Sequence, residues 1–134
     1  MPAPLGARMR LEAVALLVPD YAEGIAFFVD GLGFRLLSDQ DQGEGKRWVL
    51  VEPHGGGTPL LLARATGTEQ QATVGMQAGG RVGFFLRTDD FAAAQARLIA
   101  AGAVFEEEPR RERYGTVAVW RDPWGNRWDL LGPP

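Results

Sequence analysis

Short apolar runs alternate with polar, glycine-rich turns along the chain, and they come in the same order in both halves. In the first half, an apolar run predicts a strand over 11–18. Ile25 and Phe28 lie at helical spacing and predict a helix over 20–30, after which Gly31 and Gly33 end it. Three further strands are predicted in this half, at 34–38, 47–52 and 59–65.

The second half repeats this order. A strand, an alanine-rich helix and three more strands are predicted at 82–88, 90–101, 104–107, 116–121 and 127–131. Asp20-Tyr21 precedes Asp90-Phe91 by 70 positions, and Glu52-Pro53 precedes Asp122-Pro123 by the same distance. This constant offset indicates an internal repeat of a strand-helix-strand-strand-strand (βαβββ) module.

The repeat also predicts the domain organisation. A module of about 60 residues buries too little surface to be stable alone, so the two modules are expected to share one core. We therefore predict a single domain over 1–134. It consists of a first module at 11–65, a polar, glycine-rich linker at 66–80 and a second module at 81–131.

Composition excludes several kinds of chemistry. The chain has no Cys and one His, which excludes disulfide scaffolds, thiol nucleophiles and multi-histidine metal sites. Its 14 Lys and Arg against 17 Asp and Glu provide no basic field for nucleic acid. No apolar run approaches the roughly 20 residues of a membrane helix, and the first ten residues do not resemble a signal peptide. We expect a cytoplasmic protein without a nucleic-acid or membrane partner.

The repeated modules resemble a known superfamily. Each predicted helix begins with Asp and an aromatic residue, and the chain closes on Asp122-Pro123-Trp124-Gly125-Asn126. Together these features resemble the vicinal oxygen chelate superfamily, which includes glyoxalase I, extradiol dioxygenases and bleomycin-binding proteins. The resemblance covers 11–131 and implies an α+β fold, in which two tandem βαβββ modules form a glyoxalase-like curved mixed sheet with a shared concave cavity. Because one fold serves lyases, dioxygenases and drug binders, function has to be argued from the site.

The resemblance also implies where a metal would bind. Metal-dependent members carry one ligand on the first strand and one on the last strand of each module. The matching positions here are Ala13, Leu61, Gly83 and Asp129. Only Asp129 has a side chain that can coordinate, whereas a catalytic divalent ion takes about three protein ligands. We predict that the chain uses no metal and no cofactor.

Strand alternation predicts which side chains line the cavity instead. Phe85 and Arg87 share the face of Gly83, and Asp129 is expected on the corresponding face of the last strand. Two interpretations of Arg87 stay open. It could neutralise Asp129 in a structural ion pair, or its guanidinium could receive a carboxylate or phosphate of a ligand.

Aromatic residues complete the candidate ligand site. Trp48, Trp120 and Tyr114 are candidates for walls on which a planar ligand stacks. Trp128 alternates with Asp129 and is expected in the core, while Trp124, in a turn, is expected at the surface or an interface.

The leading hypothesis is a metal-independent protein that binds a small apolar or aromatic molecule between its modules. The alternative is a metal-dependent lyase or dioxygenase of the same superfamily, with a non-standard or inter-subunit metal site. A third possibility is an association module whose cavity is vestigial. Because relatives commonly dimerise, a homodimer is expected. The sequence leaves open which ligand binds and how the modules pair.

Overall fold

Two mixed β-sheets, one from each half of the chain, form the framework of the protein in a computed structural model that describes residues 5–134. The first sheet contains β1 (Val14–Val18), β2 (Arg35–Asp41), β3 (Arg47–Glu52) and β4 (Leu60–Arg64), in the order β1-β4-β3-β2. The second contains β5 (Val82–Arg87), β6 (Val104–Phe105), β7 (Arg110–Glu112), β8 (Gly115–Arg121) and β9 (Arg127–Gly132), in the order β5-β9-β8-β6, with β7 also on β8. The first strand of each sheet runs parallel to the last, and the other pairs are antiparallel. The predicted α+β fold is confirmed.

The helices follow the internal repeat. They are α1 (Tyr21–Ile25), which continues as a π-helical segment (Ala26–Gly31), then α2 (Gly67–Thr73) and α3 (Phe91–Ala100). Asp20 caps α1, its Oδ1 accepting a hydrogen bond from the Glu23 N–H at 2.8 Å. Asp90 caps α3 in the same way, accepting from the Ala93 N–H at 3.1 Å. Asp20 and Asp90, which are 70 positions apart in the internal repeat, therefore have the same role. Each is a helix N-cap whose side chain accepts a hydrogen bond from a free N–H in the first turn.

A single hydrophobic core joins the two halves. Trp120 and Trp128 stack with ring centroids 4.9 Å apart, and both are buried. From the first module, the π-helical segment packs Phe28 against Trp128 at 6.0 Å and Phe27 against Trp120 at 6.3 Å. Around these rings lie buried aliphatic residues of both modules, Leu16, Val18, Val49, Val51, Leu60, Leu62, Leu98 and Leu130. The shared core agrees with the argument that neither module is large enough to fold alone.

The structure contains two elements, α2 and β7, that the sequence does not predict. The segment 66–80 contains α2, where the Gln70 side chain accepts hydrogen bonds from the N–H and hydroxyl of Thr66. The strand predicted over 104–107 is shorter, and β7 follows it. The physical reason is that the Glu107 carboxylate, rather than a backbone group, accepts from the Val119 N–H at 2.8 Å.

The segment between α2 and β5 fastens the two modules together. Gln77 binds the free edge of β1 like a neighbouring strand: it accepts from the Leu17 N–H and donates to the Ala15 carbonyl, both at 2.9 Å. Gly75, at φ 78°, packs so closely on the Trp124 carbonyl that a Cβ would collide with it. One short segment thus contacts the first sheet and the turn before β9.

Candidate functional site

The second sheet turns one face to the core and leaves the other accessible, and we call the latter the open face. Phe84 and Leu86 of β5 pack on the core, whereas Phe85 between them is 64% exposed. On β9, Trp128 and Leu130 are buried, which places the side chains of Arg127, Asp129 and Leu131 on the open face. This is the alternation expected for a sheet with one face covered.

Asp129 is the carboxylate at the centre of this face. It lies directly opposite Phe85 in the register of β5 and β9. Its Oδ1 is buried and has no hydrogen-bond partner among residues 5–134. Burial raises the pKa of Asp129 above its usual range, against the attraction of the Arg110 and Arg127 guanidinium groups. A buried acceptor without a donor is costly, so this oxygen is suited to receive an N–H or O–H group from outside the chain.

Arg87 does not pair with Asp129. In the register of the two strands its neighbour is Leu131, two positions beyond Asp129, and no carboxylate of residues 5–134 lies within ion-pair distance of its guanidinium. Of the two interpretations of Arg87, the structural ion pair with Asp129 is therefore wrong. The physical reason is the parallel register, which places Phe85 rather than Arg87 beside the carboxylate.

A groove between the modules begins beside Phe85. One part, of about 290 Å³, is lined from both modules by Val14, Phe34, Pro53, Thr58, Leu60, Gly83, Phe84, Phe85, Leu86 and Trp128. A neighbouring part, of about 500 Å³, shares Phe34, Pro53 and Leu86 with it and has Arg87 and the exposed His54 on its wall. The groove is mainly apolar. Phe85 lies in one part, and the other part carries the Arg87 guanidinium and the carboxylate of the exposed Asp89.

The remaining predicted ligand residues lie elsewhere. Trp120 is completely buried in the core, so its expected place on the cavity wall is wrong. Tyr114 is exposed in the turn between β7 and β8. Trp48 lines a separate cleft on the first sheet. The structure therefore places Phe85 beside Asp129 in the strand register and Arg87 on the neighbouring part of the groove, and it separates Trp48, Trp120 and Tyr114 from them.

The other two tryptophans are structural. Trp128 is buried in the core, as predicted. Trp124 is expected at the surface or an interface, but it is half-buried and packs against the core. Its ring lies edge-on to the Phe27 ring, with the two centroids 5.8 Å apart. A turn can thus carry a core residue when a helix of the other module covers it.

The positions that would hold a metal do not fit one. Leu61 lies opposite Ala15, and Asp129 lies opposite Phe85 at the equivalent place in the second module. Ala13 and Gly83 offer no ligand atom in their side chains. Across residues 5–134, no three His, Cys, Asp or Glu side chains are grouped as metal ligands. One carboxylate does not supply the roughly three protein ligands of a catalytic divalent ion.

Asp122 is a second buried carboxylate, and its surroundings explain the closing phrase of the sequence. Its Oδ1 accepts from the N–H groups of Trp124, Gly125 and Asn126 at 2.9–3.1 Å. Its Oδ2 accepts from the Asn126 amide at 2.9 Å and the Trp128 indole at 3.0 Å. Burial raises the pKa of Asp122, and these hydrogen bonds oppose the rise. Residues 122–126 therefore form a turn around the Asp122 carboxylate, and the role of this carboxylate is structural.

Comparison with known proteins agrees with this architecture. Residues 10–130 match the family model described as Glyoxalase/Bleomycin resistance protein/Dioxygenase superfamily. The chain belongs to this superfamily. The resemblance inferred from the sequence is thereby confirmed.

Three similar proteins show how closely the chain resembles known sequences and structures. An uncharacterized protein of Shewanella frigidimarina is 51% identical over 120 residues, covering 88% of this chain and 89% of that protein. The crystal structure of TnmS3, an antibiotic binding protein from Streptomyces sp. CB03234, is 32% identical with a TM-score of 0.75, covering 96% of this chain and 98% of that one. A glyoxalase/bleomycin resistance protein from the same organism is 33% identical with a TM-score of 0.67, covering 89% and 96%.

The sequence also predicts that no helix spans a membrane. Within residues 5–134, no helix is both long and apolar enough to cross a membrane. The cytoplasmic location and the homodimer stay predictions.

Proposed function

We propose that this superfamily member binds a small apolar or aromatic molecule, without a metal ion, in the groove between its modules beside Phe85. The observation that carries the proposal is an aromatic side chain, 64% exposed, directly opposite a carboxylate oxygen that is buried without a partner. A bound ring would cover Phe85, and a donor on the ligand would satisfy Asp129.

The energetics support a flat, mostly apolar ligand. An aromatic pair contributes about 0.5–1.5 kcal/mol beyond the area it buries. A hydrogen bond to a charged group contributes about 1.5–3 kcal/mol. Arg87, which has no ion-pair partner among the described residues, is placed to bind a carbonyl or carboxylate of the same ligand. Apolar contact and the two charged groups therefore both contribute to the affinity, and the charged groups also select among ligands.

The antibiotic-binding relative supports the ligand class. TnmS3 is described as an antibiotic binding protein, and it shares the fold over nearly the whole length of this chain. We infer an antibiotic-like ligand for this chain, and the mainly apolar lining of the groove favours an apolar or aromatic one.

The alternative function is a metal-dependent lyase or dioxygenase whose site is completed by a partner subunit. The unpartnered Oδ1 of Asp129 favours it, because a metal ion would also satisfy that oxygen. Its test is turnover of a glyoxalase-type or catechol substrate that a chelator abolishes.

We also propose that the protein is a homodimer. Val104 on the edge strand β6 is 65% exposed and offers apolar surface, away from Phe85, which a second copy would cover. Light scattering coupled to size-exclusion chromatography tests this, and a mass of one chain at micromolar concentration would contradict it.

Binding is tested with the neutral fluorescent probe N-phenyl-1-naphthylamine, whose emission rises in an apolar site. We expect saturable binding to the wild type and at least about tenfold weaker binding to Phe85→Ala, since one ring contact and its buried area are lost. Ile99→Ala is the matched control, because Ile99 is also exposed but lies on α3 outside the groove. Equal affinity of wild type and Phe85→Ala would contradict the proposal.

A further inference from the structure

A second cleft lies at the first sheet, where β3 begins and β4 ends, next to the turn between β2 and β3. Its volume is about 590 Å³. The side chains that the argument uses are Tyr21, Lys46, Arg47, Trp48, Leu61 and Arg64. None of these residues lines the groove beside Phe85, so the cleft is separate from the site of the proposed function.

The cleft carries an excess of positive charge in a chain whose net charge is -3. Arg47 is neutralised by Asp39, with 2.6 Å between Nη2 and Oδ2. Lys46 and Arg64 have no carboxylate of residues 5–134 within ion-pair distance. The acidic residue on the wall is Glu44, which is exposed in the turn. Two cations thus face the cleft against one solvated carboxylate.

The Arg64 side chain is held in place by an aromatic ring. Its guanidinium carbon lies 5.9 Å from the centre of the Tyr21 ring, and that of Arg47 lies 5.1 Å from the same ring. Tyr21 is itself fixed, because it is buried and its hydroxyl accepts from the Arg47 N–H at 3.1 Å. A guanidinium stacked on a ring keeps its N–H groups free at the edge, where they can bind an anion.

The wall beside these cations is apolar. Trp48 and Leu61, both half-buried, alternate with the core residues of β3 and β4, whereas Arg64 lies in phase with buried Leu62. The pairing of β3 with β4 ends at Val49 and Leu62, and the cleft at this end of the two strands is lined by Trp48 and Leu61 as well as by Arg64. An inorganic anion would use the guanidinium alone and leave this surface uncovered. An organic anion with a flat apolar group would use both.

We propose that this cleft is a second binding site, which takes an aromatic or apolar anion such as a carboxylate or sulfonate. The anionic group contacts Arg64 and Lys46, and the ring system packs on Trp48. The site acts independently of the groove beside Phe85 and extends the range of ligands to charged molecules.

The test compares two probes that share a ring system and differ in charge. 8-Anilinonaphthalene-1-sulfonate is the anion, and N-phenyl-1-naphthylamine is its neutral counterpart. Both are titrated into the Phe85→Ala protein, so that the groove contributes little to either signal and failure of one proposal does not hide the other. We expect the sulfonate to bind, and Arg64→Gln to weaken it about tenfold while the neutral probe changes less than about twofold.

Three controls decide the outcome. Arg64→Lys keeps the charge but not the stacked planar guanidinium, so its affinity is expected between those of the wild type and Arg64→Gln. Arg111→Gln removes an exposed charge on β7 and is expected to change nothing. Lys46→Gln should weaken the sulfonate as well, and it serves in place of Arg64→Gln if that variant does not fold. Equal loss of both probes, equal loss in Arg111→Gln, or no loss in Arg64→Gln would each overturn the proposal.

Discussion

Phe85 and Asp129 lie opposite each other on the parallel strands β5 and β9, the ring exposed and one carboxylate oxygen buried without a partner. The equivalent pair in the first module is Ala15 and Leu61 on β1 and β4. The two modules therefore share a backbone arrangement but not its chemistry. Only the second module places a ring and a carboxylate together, which is why the proposed ligand site is there.

The same substitution should have opposite effects at the half-buried Asp129 and the buried Asp122, and Asp129→Asn is the stabilising one. Burial raises the folded-state pKa of Asp129, so its carboxylate destabilises the protein increasingly as pH rises through that pKa and costs nothing below the unfolded value of about 4. Asp129→Asn should raise the free energy of unfolding at pH 7 by about 1 kcal/mol. Urea unfolding at pH 7 and near pH 3.5 measures this. Near pH 3.5, below the unfolded value, the Asp129 carboxyl is mainly protonated in both the folded and the unfolded state, so the gain should largely disappear.

Asp122→Asn should destabilise the protein. The five hydrogen bonds to this carboxylate all come from N–H donors, and an amide would turn its own NH₂ toward some of them. The expected loss is about 2–3 kcal/mol, measured by urea unfolding at pH 7. A stability equal to that of the wild type would show that the turn around Asp122 does not depend on the carboxylate.

Gly75→Ala should destabilise the protein far more than Gly79→Ala. Both glycines have positive φ, but a Cβ at Gly75 meets the Trp124 carbonyl, while a Cβ at Gly79 meets nothing within 4 Å. We expect a loss of about 1 kcal/mol at Gly79, from backbone strain alone, and about 3 kcal/mol or more at Gly75. Thermal unfolding of the two variants separates strain from collision, and equal losses would mean that the segment is not packed on the turn.

Gln77→Ala should loosen the edge of β1. The substitution removes the acceptor for the Leu17 N–H and the donor for the Ala15 carbonyl. We expect a loss of about 1–2 kcal/mol in stability and faster hydrogen exchange at the Leu17 amide. The Leu16 amide is the internal control, because it lies on the same strand but Gln77 does not contact it. Unchanged exchange at Leu17 would contradict the edge contact.

The sequence predicts the fold well because its signals are local. Alternation along β5 and β9 places Phe85 and Asp129 correctly on one face, and the aspartates before α1 and α3 mark both helix starts. What it misses depends on contacts between distant segments. The strand register keeps Arg87 from Asp129, and the partner module covers Trp124. Trp120 shares a face with Ala118 and alternates with Val119, but no local feature shows that this face is the buried one.

The cleft beside Arg64 is even harder to predict from the sequence, because distant segments form it. Tyr21, Lys46 and Arg64 come from a helix start, a turn and a strand end that are far apart in the sequence. No motif links them, and only the folded first sheet brings the two cations and the ring to one place. Functional sites assembled from the ends of several elements are therefore visible in the structure alone.

The most direct test of the central claim is an equilibrium titration of N-phenyl-1-naphthylamine against the protein as purified, without removal of metal, carried out with and without excess EDTA. If the groove binds its ligand without a metal, the affinity should be the same in both and should fall about tenfold in Phe85→Ala. Binding that EDTA abolishes and added divalent metal restores would contradict the account and favour the metal-dependent alternative.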